Sequence, residues 1–183
     1  MNLTGQIIVS MPSLEDERFY KTVIYICAHS SEGSMGIIIN KKIDYDLYPD
    51  LLQQLGIDKP LNNKKLFIRY GGPVESGRGF VLHSDDMVRK ETLNIDKGVA
   101  LTSTAEFFDD LSKGKGPKNC ILALGYAGWQ PGQLEYEIMR NSWMSLSVDN
   151  SFLFDDEVSR KWSQAYKLIG IDPNSLSFES GNA

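Results

Sequence analysis

Cys120-Ile121-Leu122-Ala123-Leu124 is an uncharged apolar run that opens directly onto Gly125-Tyr126-Ala127-Gly128-Trp129-Gln130-Pro131-Gly132-Gln133-Leu134-Glu135-Tyr136-Glu137. Five consecutive apolar residues without helical periodicity read as a buried strand. The three glycines and the proline that follow read as a bend, and Gln133 as the start of a helix. Helix-start N–H groups lack internal partners, so such a bend is a place where ligands bind. A core strand that ends this way needs a sheet around it, and the rest of the chain supplies short strands in runs.

Gly5–Ser10 reads as a strand stopped by Met11-Pro12, since proline removes an N–H donor. Ser13 and Asp16 resemble a short helical turn. Thr22–Ala28 is β-branched and aromatic, which suits a strand buried on both faces. Ser30–Gly36 reads as a loop and Ile37–Asn40 as the next strand, giving a strand pair over 22–40. Pro49–Leu55 has the apolar face and the following Gly56 of a short helix. Further strands are expected at Leu66–Tyr70, Arg78–His83, Glu91–Ile95 and Val99–Thr102. The linker between the first two, which opens on Gly71-Gly72-Pro73-Val74, is of hairpin length but also suits a wider bend. Ser103 with Glu106 forms a capping box for a helix carrying Phe107, Phe108 and Leu111.

Trp143–Val148 alternates as a half-buried strand, and Phe152–Phe154 reads as a strand fragment. Asp155 is placed as the cap of a last helix in which Val158, Trp162, Tyr166 and Ile169 share a face, ending at Gly170. The tail 179–183 is expected to fray. Strands in runs with few, short helices indicate an α+β fold: one domain over 1–183, an irregular, coiled, mostly antiparallel sheet flanked by a few short helices.

Composition narrows the function. The 183 residues are 42% hydrophobic, enough for one sizeable core. The net charge of −5 and the absence of Lys/Arg clusters count against nucleic acid as a partner. No apolar segment has the length of a membrane span, and the N-terminus carries no secretory leader, so a cytoplasmic location and no membrane partner are expected. Cys27 and Cys120 then read as free thiols packed in apolar strands.

Several segments together resemble the YqgE/AlgH family of bacterial proteins. They are Gly5 with Met11-Pro12; Tyr25 to His29 followed by Gly33 to Asn40; Gly71-Gly72-Pro73-Val74; Arg78 to His83; Leu101-Thr102; Gly116-Pro117; Gly125 to Trp129 through Gly132 to Glu135; Asn141-Ser142-Trp143; and Trp162. The resemblance runs from about residue 5 to 178, and Ser34 departs from it where the family pattern has alanine. It implies a single α+β domain with a coiled sheet and carries the description of a transcriptional regulator. It brings no catalytic residue and no cofactor.

The candidate ligand-binding residues are Gly71, Gly72, Arg78, His83, Tyr126, Gly128, Trp129, Gln133 and Glu135. On this reading Gly71–Val74, Arg78–His83 and Gly125–Glu135 wall a groove, with glycine N–H groups as donors, Arg78 as an anion contact and Trp129 as a flat wall. The structural alternative makes the glycines tight turns, Trp129 a core residue and Arg78 a tie between loops. Glu135 and Glu137 point about 200° apart on a helix, so they serve different neighbours. The expected function is non-catalytic binding of a small molecule or a protein partner, with no cofactor and no metal assigned. The alternatives are a hydrolase using a Glu/His pair or a metal held by Cys27, His29, His83 and Asp85, and the regulator of the family description.

Overall fold

Ile7, Ile8 and Val9 are all fully buried. Ile7 and Val9 enter one apolar cluster and Ile8 another, because successive side chains of a strand point to opposite faces of its sheet and both faces are covered here. The structure, a computed structural model, describes residues 2–43, 53 and 68–173. Its sheet has nine strands: β1 (Ile7–Ser10), β2 (Val23–Ser30), β3 (Gly33–Ile38), β4 (Ile68–Tyr70), β5 (Val74–Ser84), β6 (Leu93–Asp96), β7 (Val99–Thr102), β8 (Cys120–Trp129) and β9 (Trp143–Leu146). The order is β6-β7-β5-β8-β3-β2-β1-β9, with β4 also beside β8. The strand pairings are antiparallel except that of β4 with β8.

Among the described residues, these short helices cover the sheet: α1 (Ala105–Ser112), α2 (Gln133–Met139), α3 (Asn150–Phe154) and α4 (Lys161–Leu168). α4 places Trp162, Ala165 and Tyr166 over Ile7, Val9, Tyr25 and Cys27. α2 places Leu134 on the other face, with Ile8, Ile24, Trp129 and Trp143. α1 covers Val81, Leu122 and Leu124 with Phe107, Phe108 and Leu111. The fold is a single-domain α+β structure with an open, mostly antiparallel sheet. No helix among the described residues is long and apolar enough to cross a membrane.

Several expected boundaries move, each for a physical reason. β3 begins at Gly33, inside the expected Ser30–Gly36 loop, because Ser34, Met35 and Gly36 pair with Trp129, Gly128 and Ala127 of β8. β8 itself runs through the expected bend to Trp129, and only Gln130–Gly132 turns. β5 begins at Val74, four residues before the expected Arg78. Phe152–Phe154 is helical, because the Asp149 carboxylate accepts from Phe152 N–H and caps α3. Thr104, not Ser103, caps α1 by accepting from Phe107 N–H. Asp155 accepts from Glu157 N–H, and a 3-10 turn, Val158–Arg160, precedes α4. A second 3-10 turn, Glu17–Phe19, is capped by Asp16 near the expected place. The helix expected at 49–55 (but for Gln53), the first part of the Leu66–Tyr70 strand and the tail 179–183 lie outside the described residues.

Candidate functional site

β4 and β5 flank β8 on opposite sides. β4 runs parallel to it, with Ile68 opposite Leu122 and Tyr70 opposite Leu124. β5 runs antiparallel, with Gly79 opposite Leu124 and Val81 opposite Leu122. The 71–73 link must therefore cross the face of β8, and it crosses at Gly125. Gly71 N–H donates to Leu124 O at 2.8 Å, and Ile38 N–H donates to Gly71 O at 2.9 Å. A Cβ on Gly71 would meet the Gly125 carbonyl oxygen, one on Gly72 the Tyr126 carbonyl, and one on Gly125 the Gly72 carbonyl oxygen. The segments expected to wall a groove do meet here, but backbone against backbone. No space remains between Gly71–Gly72 and Gly125–Tyr126 for a ligand, and the Gly71 N–H is already used. Trp129 is buried in the core and is no exposed wall.

Beyond the crossing, the bend and α2 build a polar rim. Gly132 turns the chain with φ +74°, a left-handed conformation that glycine adopts freely. Gln133 closes the bend, its Oε1 accepting from Gln130 N–H at 2.9 Å, and its Nε2 donates to Glu137 Oε1 at 2.8 Å. Glu137 Oε2 accepts from the indole N–H groups of Trp129 and Trp143 at 3.0 and 2.8 Å. Glu135, two residues earlier on the helix, faces elsewhere, as the helical angle requires. Its Oε1 lies 3.4 Å from His29 Nε2, and His29 Nδ1 lies 2.8 Å from Ser34 Oγ. The His29 side chain is 4% exposed and that of Glu135 36%. Gly128 sits on β8 opposite Met35, with the Tyr126 ring against it.

The sequence alternation put Cys27 and His29 on one face. A β-bulge between Ile26 and Ala28 breaks that alternation. Cys27 stays in the core under α4, where burial pushes its thiol pKa up, while His29 meets Ser34 and the α2 carboxylate. His83 lies elsewhere, on β5 opposite Cys120 on one side and Ala100 on the other. Among the described residues no group of three His, Cys, Asp or Glu side chains is placed to hold a metal ion.

Arg78 is half exposed and donates to Glu75 Oε2 and Ser103 Oγ, both at 2.9 Å, while its guanidinium lies over Phe80. This is the loop-tying role, with Glu75 and Ser103 as partners and not Glu135. His83 is fully buried against the Phe107 ring. Its Nδ1–H donates to Ser84 O at 2.9 Å, and Nε2 accepts from the Thr102 hydroxyl at 2.9 Å, which in turn lies 2.7 Å from Thr92 Oγ1. It is a core hydrogen-bonding residue rather than a groove wall.

Burial holds the His83 pKa below the usual imidazole value, against the opposing pull of Ser84 O, Asp86 and Asp85. In the unfolded chain His83 takes up its proton near pH 6.5, while the folded chain takes it up at lower pH. The unfolded state therefore binds more protons just below pH 6.5, and stability falls as pH drops through that range. The melting temperature is expected to fall less between pH 7 and pH 5 in His83→Gln than in the unchanged protein. Parallel curves for the two would contradict this origin.

Two features escaped the sequence reading. An open groove of about 720 Å³ lies between the end of β9, α3 and α4, lined by Val148, Asp149, Phe152, Asp155, Lys167 and Leu168 among others. Arg69 on β4 and Lys161 at the start of α4 are buried. A basic residue between Ile68 and Tyr70, or beginning a helix, carries no local sign of burial.

A family model described as AlgH-like matches residues 7–174. A UPF0301 protein of Rhodopseudomonas palustris (strain BisB18) is 50% identical over 189 residues, covering 99% of this chain and 89% of the relative. A UPF0301 protein of Bradyrhizobium diazoefficiens is 48% identical, covering 99% and 88%. The solution structure of the AlgH protein from Pseudomonas aeruginosa superposes with a TM-score of 0.79 at 32% identity, covering 100% of this chain and 97% of that one. A crystal structure from Corynebacterium diphtheriae shares the fold, with a TM-score of 0.71 at 19% identity over 92% of this chain and 87% of that one.

Proposed function

We propose that this chain, which belongs to the AlgH-like family, is a non-catalytic cytoplasmic binding domain. Its site is the rim of His29, Ser34, Gln133 and Glu135. The carrying observation is the Glu135 carboxylate. One oxygen rests against the buried imidazole of His29, and the Glu135 side chain is 36% exposed, so the carboxylate is open to an incoming donor. A half-exposed carboxylate oriented this way accepts from a cationic or N–H-rich group of a small molecule or a partner protein. The glycines at 71, 72 and 125 contribute by holding β8 in place beneath it.

The hydrolase reading has one observation in its favour, the hydroxyl–imidazole–carboxylate series Ser34–His29–Glu135. Against it, Ser34 lies within β3 between His29 of β2 and Trp129 of β8. Backbone N–H groups there serve the sheet, and a tetrahedral intermediate needs donors aimed at its oxyanion.

Agmatine and a tetra-arginine peptide, titrated into 15N-labelled protein, separate the readings. Saturable NMR shifts at His29, Ser34, Gln133 and Glu135 are expected. Glu135→Gln should abolish them while changing stability by no more than about 0.5 kcal/mol, as for a surface substitution. Arg78→Ala should leave them intact. Shifts that survive Glu135→Gln, or none with either probe, would refute the site. Turnover of an ester panel that disappears in Ser34→Ala would replace binding by hydrolysis.

A further inference from the structure

On the face of the sheet opposite α2, two cations are buried within electrostatic reach of each other. Arg69, opposite Ala123 in the β4–β8 ladder, is 1% exposed, and Lys161 at the start of α4 is fully buried. Arg69 Nη2 donates to Asp156 Oδ1 at 3.2 Å. Its Nε and Nη1 have no partner among the described residues. Lys161 Nζ donates to the Phe152 carbonyl and lies 5.0 Å from the centre of the Phe152 ring.

The structure points, we infer, to a site for a small oxyanion, a carboxylate or phosphate group, held by Arg69 Nε and Nη1 with Lys161 supplying the second positive charge. Three arguments carry it. First, buried donors in folded proteins are nearly always satisfied, and here three N–H bonds of one guanidinium are not. A guanidinium keeps its proton, so this charge is not removed by deprotonation. Second, the protein's own counter-charge is incomplete. The Asp156 carboxylate that touches Arg69 is 73% exposed, so water screens much of its attraction. Asp155 is the other carboxylate whose charge reaches both cations, and burial lowers the Lys161 pKa to about 8, with the Arg69 charge adding to the shift against Asp155 and Asp156. Third, a purely structural role at this position is served better by an apolar side chain of similar volume, since burying a charge for packing alone is unfavourable.

The groove beside α3 and α4 shares residues with these surroundings. Phe152 and Asp155 line it, and Phe152 also gives Lys161 its carbonyl partner. Neither Arg69 nor Lys161 itself lines the groove. A small oxyanion accepts from the free N–H groups and also supplies the missing counter-charge, which a neutral acceptor does not. Arginine's planar donors and an adjacent ammonium are the combination that holds carboxylate and phosphate oxygens.

The test uses sodium phosphate, sodium acetate and, as the control, sodium chloride at matched ionic strength. The Arg69 Nε–H resonance is followed by NMR, and the melting temperature in parallel. A saturable downfield shift with a rise in melting temperature is expected for phosphate or acetate and not for chloride. The one that acts names the oxyanion. In Lys161→Met the dissociation constant should weaken at least about tenfold, and in Arg69→Met the thermal response should vanish. No saturable shift with either oxyanion would overturn the inference. So would equal responses to chloride, or a response unchanged in Lys161→Met. Because the probes are anions and the readout is Arg69, failure here leaves the His29–Glu135 rim unaffected.

Discussion

Gly72→Ala is expected to prevent stable folding, with a loss of at least about 4 kcal/mol. Two costs combine. Gly72 has φ +151°, where an L side chain is strained, and its Cβ would fall on the Tyr126 carbonyl and the Ala127 nitrogen. Those atoms belong to β8, the strand that holds β3, β4 and β5 together, so they cannot retreat without breaking the sheet. Gly71 and Gly125 meet the same crossing from either side, and a Cβ on Gly71 would also come within 2.9 Å of the Ala123 Cβ. Two controls separate the crossing from generic glycine effects. Gly132 is left-handed but has open space around it, so Gly132→Ala should cost only about 1–2 kcal/mol of conformational strain. Gly77 has open space and no left-handed φ, so Gly77→Ala should stay within about 0.5 kcal/mol. Urea denaturation of the three variants, with soluble yield recorded, orders them. If Gly72→Ala unfolds together with Gly132→Ala, the backbone contact is looser than the geometry requires, and a ligand loop at Gly71–Val74 becomes the better account of its glycines.

That crossing marks how far the sequence could be read. The runs of buried apolar residues at 7–9, 23–27, 80–82 and 120–124 are strands, because burial on both faces leaves a local imprint. Met144, Leu146 and Val148 do pack on one side, as their alternation implied. The glycines were legible as places of unusual backbone, but not as the reason for it. What Gly33, Gly36 and Gly72 approach is a strand far away in sequence: the Trp129 carbonyl, the Ile24 side chain and the Tyr126 carbonyl. A glycine that lets two strands approach and one that opens a ligand loop look the same in one dimension. Phe152–Phe154 misled for a different reason. Three residues are too few to display a period, and the deciding bond comes from Asp149 outside the run. Arg69 was invisible because its burial is a matter of tertiary packing, with its ladder partner Ala123 and its ion-pair partner Asp156 both far along the chain. Of the candidate site, Glu135 and Gln133 were named and lie on the rim, and His29 was weighed as a metal ligand or as the histidine of a Glu/His pair. Ser34 entered only as a departure from the family pattern, since the His29–Ser34 contact depends on the β2–β3 register.

The two glutamates of α2 provide the second large effect, because they sit two residues apart and do opposite work. Glu137→Ala is expected to cost about 3–5 kcal/mol, whereas Glu135→Ala should cost no more than about 0.5 kcal/mol. Glu137 Oε2 is the common acceptor of two indole N–H groups, and both indoles are buried, with their rings edge to face at 6.1 Å. Removing the carboxylate leaves two donors unsatisfied in the core, each worth about 1–3 kcal/mol. It also frees Gln133 Nε2 and so loosens the bend at its base. Glu137→Gln discriminates charge from geometry. Its amide oxygen can still accept from both indoles, and about 1–2 kcal/mol should be lost, the difference between charge-assisted and neutral hydrogen bonds. Chemical denaturation measures the costs, and the two indole N–H resonances report whether the bonds are gone. An alanine at Glu137 no more destabilising than one at Glu135 would mean that water reaches Trp129 and Trp143, and the second core cluster would not be closed as described. If the predicted ordering holds, the strand end and the first turn of α2 are fixed by Glu137. Glu135 is then left available for a partner on a rigid support, the condition a binding rim has to meet.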